Sequence, residues 1–349
     1  MSRVLKSSLW LFALSLSAGG AAAEKKVAPV LPSEEWIEFT YQVNVPAVSK
    51  NQVPLHIYVP MAPSNEQQSI LSRDIKSSDA RVLESARIKR ESEYGNEFWT
   101  WTIAEARQQP TTLSFKYRVL RRINVVKDWK AASQATYGAG ETKGLERYLA
   151  ADRRVPIDGE LVTKLRGEIP KSATTPMLKA KAIYEYVVDN MEYKKVGTGW
   201  GNGDTYWACS EKYGNCTDFH ALLTSMSRAE GIPTQFAIGF PIPQDRPQGD
   251  IAGYHCWLEL FLPQVAWLPV DASEAKKHPE QRELLFGTHP ADRILFSVGR
   301  DLKLDAESGE PVNFLIYPHV VHAGKVVKDL VTTKFSYQIF KPEDLKAAL

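Results

Sequence analysis

The chain has 349 residues, of which 43 are Lys or Arg and 41 are Asp or Glu, so its formal net charge is +2. This balance excludes the basic surface that nucleic-acid binding requires, because Arg121-Arg122 and Lys194-Lys195 are isolated pairs rather than patches. Hydrophobic residues (44%) and charged residues (24%) occur in the proportions of a folded soluble protein, and the length allows two domains.

The first 23 residues are predicted to be a secretory signal peptide. Arg3 and Lys6 give a positive start, residues 9–16 form a short apolar run, and Ala21-Ala22-Ala23 is a small-residue cleavage region. The run is too short to span a bilayer, which takes about 20 apolar residues, although an uncleaved N-terminal anchor is the alternative. No other stretch of the sequence could cross a membrane. We therefore expect a periplasmic or secreted protein, cleaved near Ala23, with no transmembrane segment in the mature chain.

Residues 24–33 contain two prolines and are predicted to be a linker, and residues 34–125 are predicted to form a β-sandwich-like domain. In three segments of this domain apolar residues alternate with polar ones, and a period of two indicates half-buried strands. Polar turns separate the segments, as in a sandwich. The domain has no cysteine, which indicates a structural or docking role. The alternating residues are Ile37, Phe39, Tyr41 and Val43; Leu55, Ile57 and Val59; and Leu113, Phe115, Tyr117 and Val119.

Residues 145–349 are predicted to form an α+β domain, in which helices pack on an antiparallel sheet and a C-terminal β extension follows. One helix begins at Thr175-Pro176, and another runs from about residue 217 until Gly231 stops it. The glycine-rich residues 197–203 form a loop and not a dinucleotide fingerprint, because no strand precedes them. Strands are predicted over residues 234–240, 255–262 and 267–270, with further candidates at 312–317, 324–327 and 335–340.

The segment Tyr213-Gly214-Asn215-Cys216-Thr217-Asp218-Phe219 places a cysteine at the start of a helix, directly after a glycine turn. A helix N-terminus carries about half a positive charge, which favours the thiolate, and cysteines so placed have pKa values below the ordinary value of about 8.5. The same N-terminus offers unpaired backbone N–H groups that can receive an oxyanion. On its own such a cysteine is more often a small buried hydrophobe, but this context makes Cys216 the predicted nucleophile.

A thiolate needs a base or imidazolium partner, and the imidazole needs an orienting acceptor. His255 begins one predicted strand, Asp271 ends the next, and a turn at Pro263-Gln264 joins them. Counting inward from this turn puts His255 and Asp271 at the same end of an antiparallel hairpin. We therefore predict a catalytic triad of Cys216, His255 and Asp271. The alternative role for Asp271 is only to cap a turn with Ala272-Ser273.

These segments resemble the transglutaminase-like superfamily, which shares the papain-type Cys–His–Asp arrangement, and they suggest a bacterial exported member. The resemblance covers about residues 145–275 and keeps the family's order of motifs. It implies that the thiolate attacks a carboxamide, that ammonia or an amine leaves, and that a second amine or water takes the acyl group. The motifs are Gly214-Asn215-Cys216-Thr217-Asp218-Phe219, Ala229-Glu230-Gly231-Ile232-Pro233, Gly239-Phe240, His255-Cys256-Trp257 and Trp267-Leu268-Pro269-Val270-Asp271.

The resemblance also implies an oxyanion-hole donor upstream of the cysteine, since family members use an indole or an amide there. Trp200 and Trp207 are the candidates, and Trp207 is the nearer to Cys216 in the sequence. Packing in the core is the alternative role for either indole.

The other cysteines and histidines near these motifs are assigned structural roles. His220 lies one helical turn after Cys216, which fixes it at the side of the nucleophile and favours a structural role. The alternative is that it lies near the thiol and tunes the site. Cys256 follows His255 on a strand, so we expect it to face away from the site and lie in the core. A Cys209–Cys256 disulfide is left open. No close C-x-x-C or H-x-x-x-H pair is present, so neither a metal nor a cofactor is expected.

The sequence therefore predicts an exported thiol enzyme that acts on amide bonds of proteins or peptides through a Cys216 thioester. Acyl transfer to an amine, deamidation and hydrolysis are all open outcomes, because one triad serves each of them. Cell-envelope proteins are among the candidate substrates. The alternative function is that of a catalytically silent, transglutaminase-fold module that binds proteins.

Overall fold

The structure is a computed structural model that describes residues 31–341 and Glu343. The predicted signal peptide and most of the predicted linker lie outside the described residues. Among the described residues, no helix has the length and apolar character needed to cross a membrane. The α-helices of this part are α1 (Ala80–Ser85), α2 (Glu146–Leu149), α3 (Gly159–Gly167), α4 (Pro176–Asn190), α5 (Thr205–Glu211), α6 (Cys216–Ala229) and α7 (Ala272–Lys277).

Strands make up much of the remaining described chain. They are β1 (Glu34–Val45), β2 (Leu55–Pro60), β3 (Gln68–Ser77), β4 (Arg87–Arg90), β5 (Glu97–Ile103), β6 (Thr111–Arg122), β7 (Asn124–Val125), β8 (Glu192–Tyr193), β9 (Tyr213–Gly214), β10 (Thr234–Pro241), β11 (Gln248–Asp250), β12 (His255–Leu262), β13 (Ala266–Val270), β14 (Thr288–His289), β15 (Arg293–Val298), β16 (His319–His322), β17 (Lys325–Val326) and β18 (Thr332–Ile339).

Two five-stranded antiparallel sheets contain most of the N-terminal strands. Their strand orders are β11-β18-β1-β6-β3 and β17-β16-β2-β5-β4. In β1 every second side chain from Ile37 to Val43 is fully buried, as the period-two pattern predicts. The two sheets pack on each other, and the rings of Trp99 in β5 and Phe115 in β6 meet edge to face at 5.4 Å. The predicted sandwich is confirmed.

The C-terminal strands complete these same two sheets. β18 pairs with β1 from Ile37–Ile339 to Asn44–Thr332, and β16 pairs with β2. One hydrophobic core spans both halves of the chain, and within it Phe39 of β1 contacts Phe240 of β10 with ring centroids 5.2 Å apart. The division into residues 34–125 and 145–349 stays a prediction, since the sheets take strands from both ranges.

The elements predicted around the motifs are largely present, with one clear difference near the C-terminus. α4 begins after Thr175, whose side chain accepts a hydrogen bond from the Leu178 N–H, and β12 has the predicted bounds. Residues 312–317 do not form a strand and contribute only an isolated bridge to Leu302. Leu315 and Ile316 of this segment are buried in the core, whereas the pairing strand, β16, begins directly after Pro318. The apolar residues of segment 312–317 therefore indicate packing in the core and not hydrogen bonding to a neighbouring strand.

A four-stranded antiparallel sheet of order β13-β12-β10-β15 carries the candidate site. Helix α6 lies on one face of this sheet, and its residues from Cys216 to Arg228 are all buried. A helix buried on every side is a central core element. β12 and β13 pair from Leu258–Val270 to Leu262–Ala266, so the start of β12 and the end of β13 meet at one edge. The predicted α+β arrangement of helices on an antiparallel sheet is confirmed.

Candidate active site

Helix α6 begins at Cys216 because Asn215 and Asp218 cap it. The Asn215 side chain accepts hydrogen bonds from the Thr217 N–H (3.0 Å) and hydroxyl (2.6 Å), and the Asp218 carboxylate accepts one from the Asn215 N–H (3.0 Å). Such a reciprocal capping box satisfies the free donors of a helix start. Cys216 is therefore the first helical residue, where its own N–H has no acceptor within the helix.

The same carboxylate holds the glycine-rich loop against the helix. Asp218 also accepts hydrogen bonds from the N–H groups of Gly201 (2.7 Å) and Gly203 (3.0 Å). Gly214 has no room for a side chain, because a Cβ there would lie 2.3 Å from Oδ2 of Asp218. Sequence reasoning did not assign Asp218 this role, although an acidic residue three places after the Asn215 cap is its signal.

One hydrogen bond connects the helix start to the start of β12. The Asn215 side-chain amide donates to the hydroxyl of Tyr254 at 3.0 Å, and Tyr254 directly precedes His255. On the other side, Gly239 of β10 lies opposite His255, and a Cβ on Gly239 would lie 1.8 Å from the carbonyl oxygen of Ile294. These contacts explain why the motifs carry an asparagine and a glycine at positions that do no chemistry.

The structure brings the three predicted triad residues together in a buried cluster. Cys216 is 1% exposed, and its thiol hydrogen-bonds with the side chains of Cys256 and His255. Burial alone would raise the pKa of Cys216, but these two hydrogen bonds and the charge of His255 hold that pKa well below its ordinary value. The favoured state is therefore a thiolate beside an imidazolium.

Asp271 orients the histidine. His255 Nε2 lies 2.6 Å from Asp271 Oδ2, whereas Nδ1 lies 3.8 Å from Glu274 Oε1, too far for a hydrogen bond, and is the ring nitrogen left for the thiol. The other carboxylate oxygen accepts hydrogen bonds from the Ser273 hydroxyl and the Glu274 N–H, both at 2.9 Å, so Asp271 also caps α7. Burial alone would lower the pKa of His255, but the charge and hydrogen bond of Asp271, together with Cys216, raise it to about 9. His255 therefore keeps its proton at neutral pH.

The prediction that Cys256 faces away from the site is wrong. Cys256 and Leu258 belong to the face of β12 that packs under α6, whereas Trp257 lies on the opposite face. Because Cys216 is the first residue of α6, the thiol of Cys256 meets it directly. His255 is on the other face by alternation, but it is the first residue of the strand and reaches the thiol from the strand end.

His220 lies on the inner side of the cluster. Its Nδ1 is 3.3 Å from Cys256 Sγ, and its Nε2 is 3.6 Å from Asp271 Oδ1. Burial lowers the pKa of His220, which is fully enclosed and therefore neutral. A closed ring of contacts thus joins the three triad residues to His220 and Cys256. The spacing of residues along α6 does not by itself predict this ring.

Trp207, the predicted oxyanion-hole donor, is directed elsewhere. Its indole Nε1–H donates to the backbone carbonyl of Tyr213 at 3.1 Å, and the ring also fills the space beside Gly199. The Trp200 indole likewise donates to the carbonyl of Gly197. Both indoles therefore hold the loop and turn before the cysteine, and the oxyanion-hole role that the resemblance implied for Trp207 has no support in this geometry.

Potential metal ligands of His255, Asp271 and Glu274 lie within 4.8 Å of one another. Their charges are already paired, since Asp271 contacts His255 and Glu274 contacts Lys277. The guanidinium of Arg293 lies 4.0 Å from Glu274 as well. An ion-pair network accounts for this cluster, and the expectation of no metal or cofactor stays a prediction.

The Cys209–Cys256 disulfide that the sequence left open is not formed. All three cysteines are free thiols, and Cys209 lies half-buried on α5 while Cys256 is fully buried on β12. Burial raises the pKa of Cys209 to about 11, so its thiol stays protonated at neutral pH. Cys209 is therefore an internal reference for an unactivated cysteine.

Known proteins resemble this chain in sequence and in fold. Residues 163–272 match the sequence model of the Transglutaminase-like superfamily. An uncharacterized protein of Haemophilus influenzae is 24% identical over 333 residues, which cover 85% of this chain and 88% of that protein. A crystal structure described as a "putative cysteine protease" from Cytophaga hutchinsonii has a TM-score of 0.56 and 16% identity, covering 88% of this chain and 99% of that one.

A further solved structure, the periplasmic domain of TgpA from Pseudomonas aeruginosa, matches with a TM-score of 0.32 and 18% identity, over 72% of this chain and 91% of that one. The Cytophaga hutchinsonii protein shares the fold of this chain. The resemblance stated from the motifs is confirmed, and the chain carries a domain of the transglutaminase-like superfamily at residues 163–272.

Proposed function

We propose that the chain is an exported thiol enzyme that acts on amide bonds of proteins or peptides through a thioester on Cys216. The observation that carries this proposal is the pairing of Cys216 with His255 at the N-terminus of α6, with Asp271 2.6 Å behind the imidazole. A nucleophile, a proton donor and a fixed carboxylate in one array are what acyl transfer from an amide requires.

In the first step the Cys216 thiolate attacks the carbonyl carbon of a carboxamide, and the carbonyl oxygen becomes an oxyanion. The free backbone N–H of Cys216 at the helix start donates to this oxyanion, and the positive end of the helix favours its charge. His255 gives its proton to the departing ammonia or amine. The products of this step are a thioester and a neutral imidazole.

In the second step the neutral His255 accepts a proton from water or from an amine, which attacks the thioester. The C–S bond breaks, and the Cys216 thiolate and the protonated His255 are restored. Asp271 stabilises the imidazolium at the start and the end of the cycle. Entry of an amine leads to acyl transfer, and entry of water leads to deamidation or hydrolysis.

Export is part of the proposal and rests on the sequence of residues 1–23, with its positive start, apolar run and small-residue end. An exported enzyme of this kind meets proteins and peptides of the cell envelope, which we propose as its substrates. Retention of a free, activated thiol in an oxidising compartment is consistent with a catalytic use of Cys216.

One observation favours a second candidate, a catalytically silent module that binds proteins. Cys216 is 1% exposed and His255 is 4% exposed, so the nucleophile is covered in this state. A protein substrate requires the side chains that cover Cys216 to move aside. If that opening does not occur, the fold serves for binding alone.

Alkylation with iodoacetamide tests the activated thiol, with Cys209 of the same chain as the matched control. At about pH 6 we expect Cys216 to react faster than a free peptide thiol, whose pKa is about 8.5, and Cys209 to react more slowly. His255→Ala removes a source of the lowered pKa, so the advantage of Cys216 should be lost. Equal labelling of Cys216 and the peptide thiol contradicts the triad.

Amine incorporation separates the enzyme from the silent module. The chain is incubated with a glutamine-containing peptide and a fluorescent amine, and the products are analysed by mass spectrometry. Labelled glutamine indicates acyl transfer, glutamate indicates deamidation, and new chain ends indicate hydrolysis. An activated Cys216 with none of these products, on any of a panel of envelope proteins, favours the binding module.

A further inference from the structure

Two of the three thiols are in contact inside the site. Cys216 is the first residue of α6 and Cys256 is the second residue of β12, and their side chains hydrogen-bond to each other. Both are buried, at 1% and 0% exposure. Cys209 lines a different pocket, together with Leu161 and Tyr186. The two contacting thiols are held by a helix and a strand that are both part of the core.

Cys256 also has a histidine of its own that the proposed acyl transfer does not use. His220 Nδ1 lies 3.3 Å from Cys256 Sγ, and its Nε2 lies 3.6 Å from Asp271 Oδ1 without a hydrogen-bond partner. A tautomer with its proton on Nε2 fits both contacts, because the proton faces the carboxylate and the Nδ1 lone pair faces the thiol. The neutral ring is therefore able to accept the Cys256 proton.

We propose that Cys216 and Cys256 form an oxidation site, which closes to a disulfide when a hydroperoxide reaches the nucleophile. The proposal rests on the proposed function in one respect, namely the reactive thiolate of Cys216. It assigns a chemical role to Cys256 and His220, which lie behind the triad.

In the first oxidation step the Cys216 thiolate attacks the outer oxygen of the hydroperoxide. An S–O bond forms and the O–O bond breaks, and the remaining oxygen leaves as an alcohol or water with the proton from His255. The sulfur loses two electrons to the peroxide and becomes a sulfenic acid. Thiolate character is what makes a cysteine susceptible to this reaction.

In the second step Cys256 attacks the sulfur of the sulfenic acid. His220 takes the proton of Cys256, an S–S bond forms, the S–O bond breaks, and the oxygen leaves as water after receiving that same proton from His220. The sum of both steps is two thiols and one hydroperoxide giving one disulfide, one alcohol or water, and one further water. Closure requires the two sulfurs to reach the disulfide bond length of about 2.05 Å.

The disulfide removes the thiolate and so stops acyl transfer, and a thiol reductant restores it. Without a partner thiol, a sulfenic acid proceeds to a sulfinic acid, which ordinary thiols do not reduce. The Cys216–Cys256 pair would thus convert irreversible damage to the nucleophile into a reversible loss of activity.

Thiol counting and peptide mapping of the oxidised chain test the proposal, and neither requires a substrate. The chain is treated with hydrogen peroxide at a slight excess, unfolded, and titrated with a thiol reagent. We expect the number of free thiols to fall from three to one and the mapped cross-link to join Cys216 to Cys256. Dithiothreitol should restore all three thiols and the original alkylation rate of Cys216.

Two variants test which cysteines form the cross-link. Cys209→Ser should lose both of its remaining thiols to the same cross-link. Cys256→Ser should form no cross-link and should accumulate a Cys216 sulfenic acid that dimedone traps. On longer treatment with peroxide this sulfenic acid should proceed to a sulfinic acid, so that dithiothreitol no longer restores the alkylation rate. If Cys256→Ser does not fold, the peptide map of the unaltered chain still shows whether Cys216 and Cys256 are cross-linked.

The proposal is overturned if the peroxide-treated chain carries a Cys216 sulfinic acid with Cys256 still a free thiol, or if the cross-link involves Cys209. A failed amine-incorporation assay together with a Cys216–Cys256 cross-link would remove the proposed function and leave this oxidation site intact. Successful amine incorporation without a Cys216–Cys256 cross-link would contradict the oxidation site and leave the proposed function unaffected.

Discussion

His255 Nε2 and Asp271 Oδ2 lie 2.6 Å apart, at the open end of the hairpin formed by β12 and β13. Asp271 is itself held by the cap of α7, where its other oxygen accepts the Glu274 N–H at 2.9 Å. The imidazole is therefore fixed by two elements at once, a strand end and a helix start. The other ring nitrogen, Nδ1, lies 3.8 Å from Glu274 Oε1, beyond hydrogen-bond reach, and is left for the thiol of Cys216.

Asp271→Asn should lower activity without unfolding the chain. Asparagine still caps α7, but it lacks the charge that raises the pKa of His255, so that pKa should fall from about 9. We expect turnover of an amide substrate to decrease by about 10²–10⁴-fold, with circular dichroism unchanged. The measurement is the pH profile of turnover, and a high-pH limb that does not move would contradict the role of Asp271.

The unaltered chain should show different pH profiles for alkylation and for turnover. Alkylation requires only the thiolate, so its rate should fall as pH drops through the lowered pKa of Cys216 and should not fall at high pH. Turnover also requires the proton on His255 and should decrease as pH rises through about 9. Parallel profiles for the two reactions would show that His255 is not the proton donor.

Cys256→Ala should raise the pKa of Cys216. The hydrogen bond from Cys256 is one of the contacts that hold the Cys216 thiolate, and alanine cannot replace it. Loss of the buried sulfur should also cost about 1 kcal/mol of stability. We expect the alkylation rate at low pH to fall, with Cys209→Ala as the control that leaves the rate unchanged. An unshifted alkylation profile would mean that the two thiols do not interact.

Gly214→Ala should destabilise the start of α6. Its Cβ would lie 2.3 Å from the Asp218 carboxylate, which must then release the Asn215 N–H or the glycine loop. We expect a loss of about 1–3 kcal/mol in the free energy of unfolding, measured with urea, and slower alkylation of Cys216. The matched control is Gly167→Ala, where a Cβ meets nothing within 4 Å and stability should rise slightly or stay unchanged. Equal effects of the two substitutions would contradict the role of the capping box.

Local patterns in the sequence predicted much of this structure. The alternation from Ile37 to Val43 predicts β1, and the Thr175-Pro176 pair predicts the start of α4. The hairpin that brings His255 and Asp271 together follows from counting residues back to the turn. In each of these cases residues close together in the sequence determine the local structure. The element can therefore be predicted from the sequence of one protein.

Relationships that depend on distant packing could not be predicted in this way. β18 pairs with β1 across nearly the whole chain, and nothing local to either strand indicates it. The face of Cys256 was predicted wrongly because alternation along β12 does not say which face lies under α6. Trp207 was placed by sequence proximity to Cys216, whereas its indole bonds the backbone of Tyr213.

The most direct test is covalent capture of the nucleophile by a glutamine-mimicking electrophile, a peptide in which a reactive carbon replaces the carboxamide. Intact mass and peptide mapping would locate the adduct in the unaltered chain, in Cys216→Ala and in Cys209→Ala. The proposed mechanism predicts one adduct per chain, on Cys216, that persists in Cys209→Ala and is absent from Cys216→Ala. A folded chain that forms no adduct, or forms it on Cys209, would contradict the assignment of Cys216 as the nucleophile.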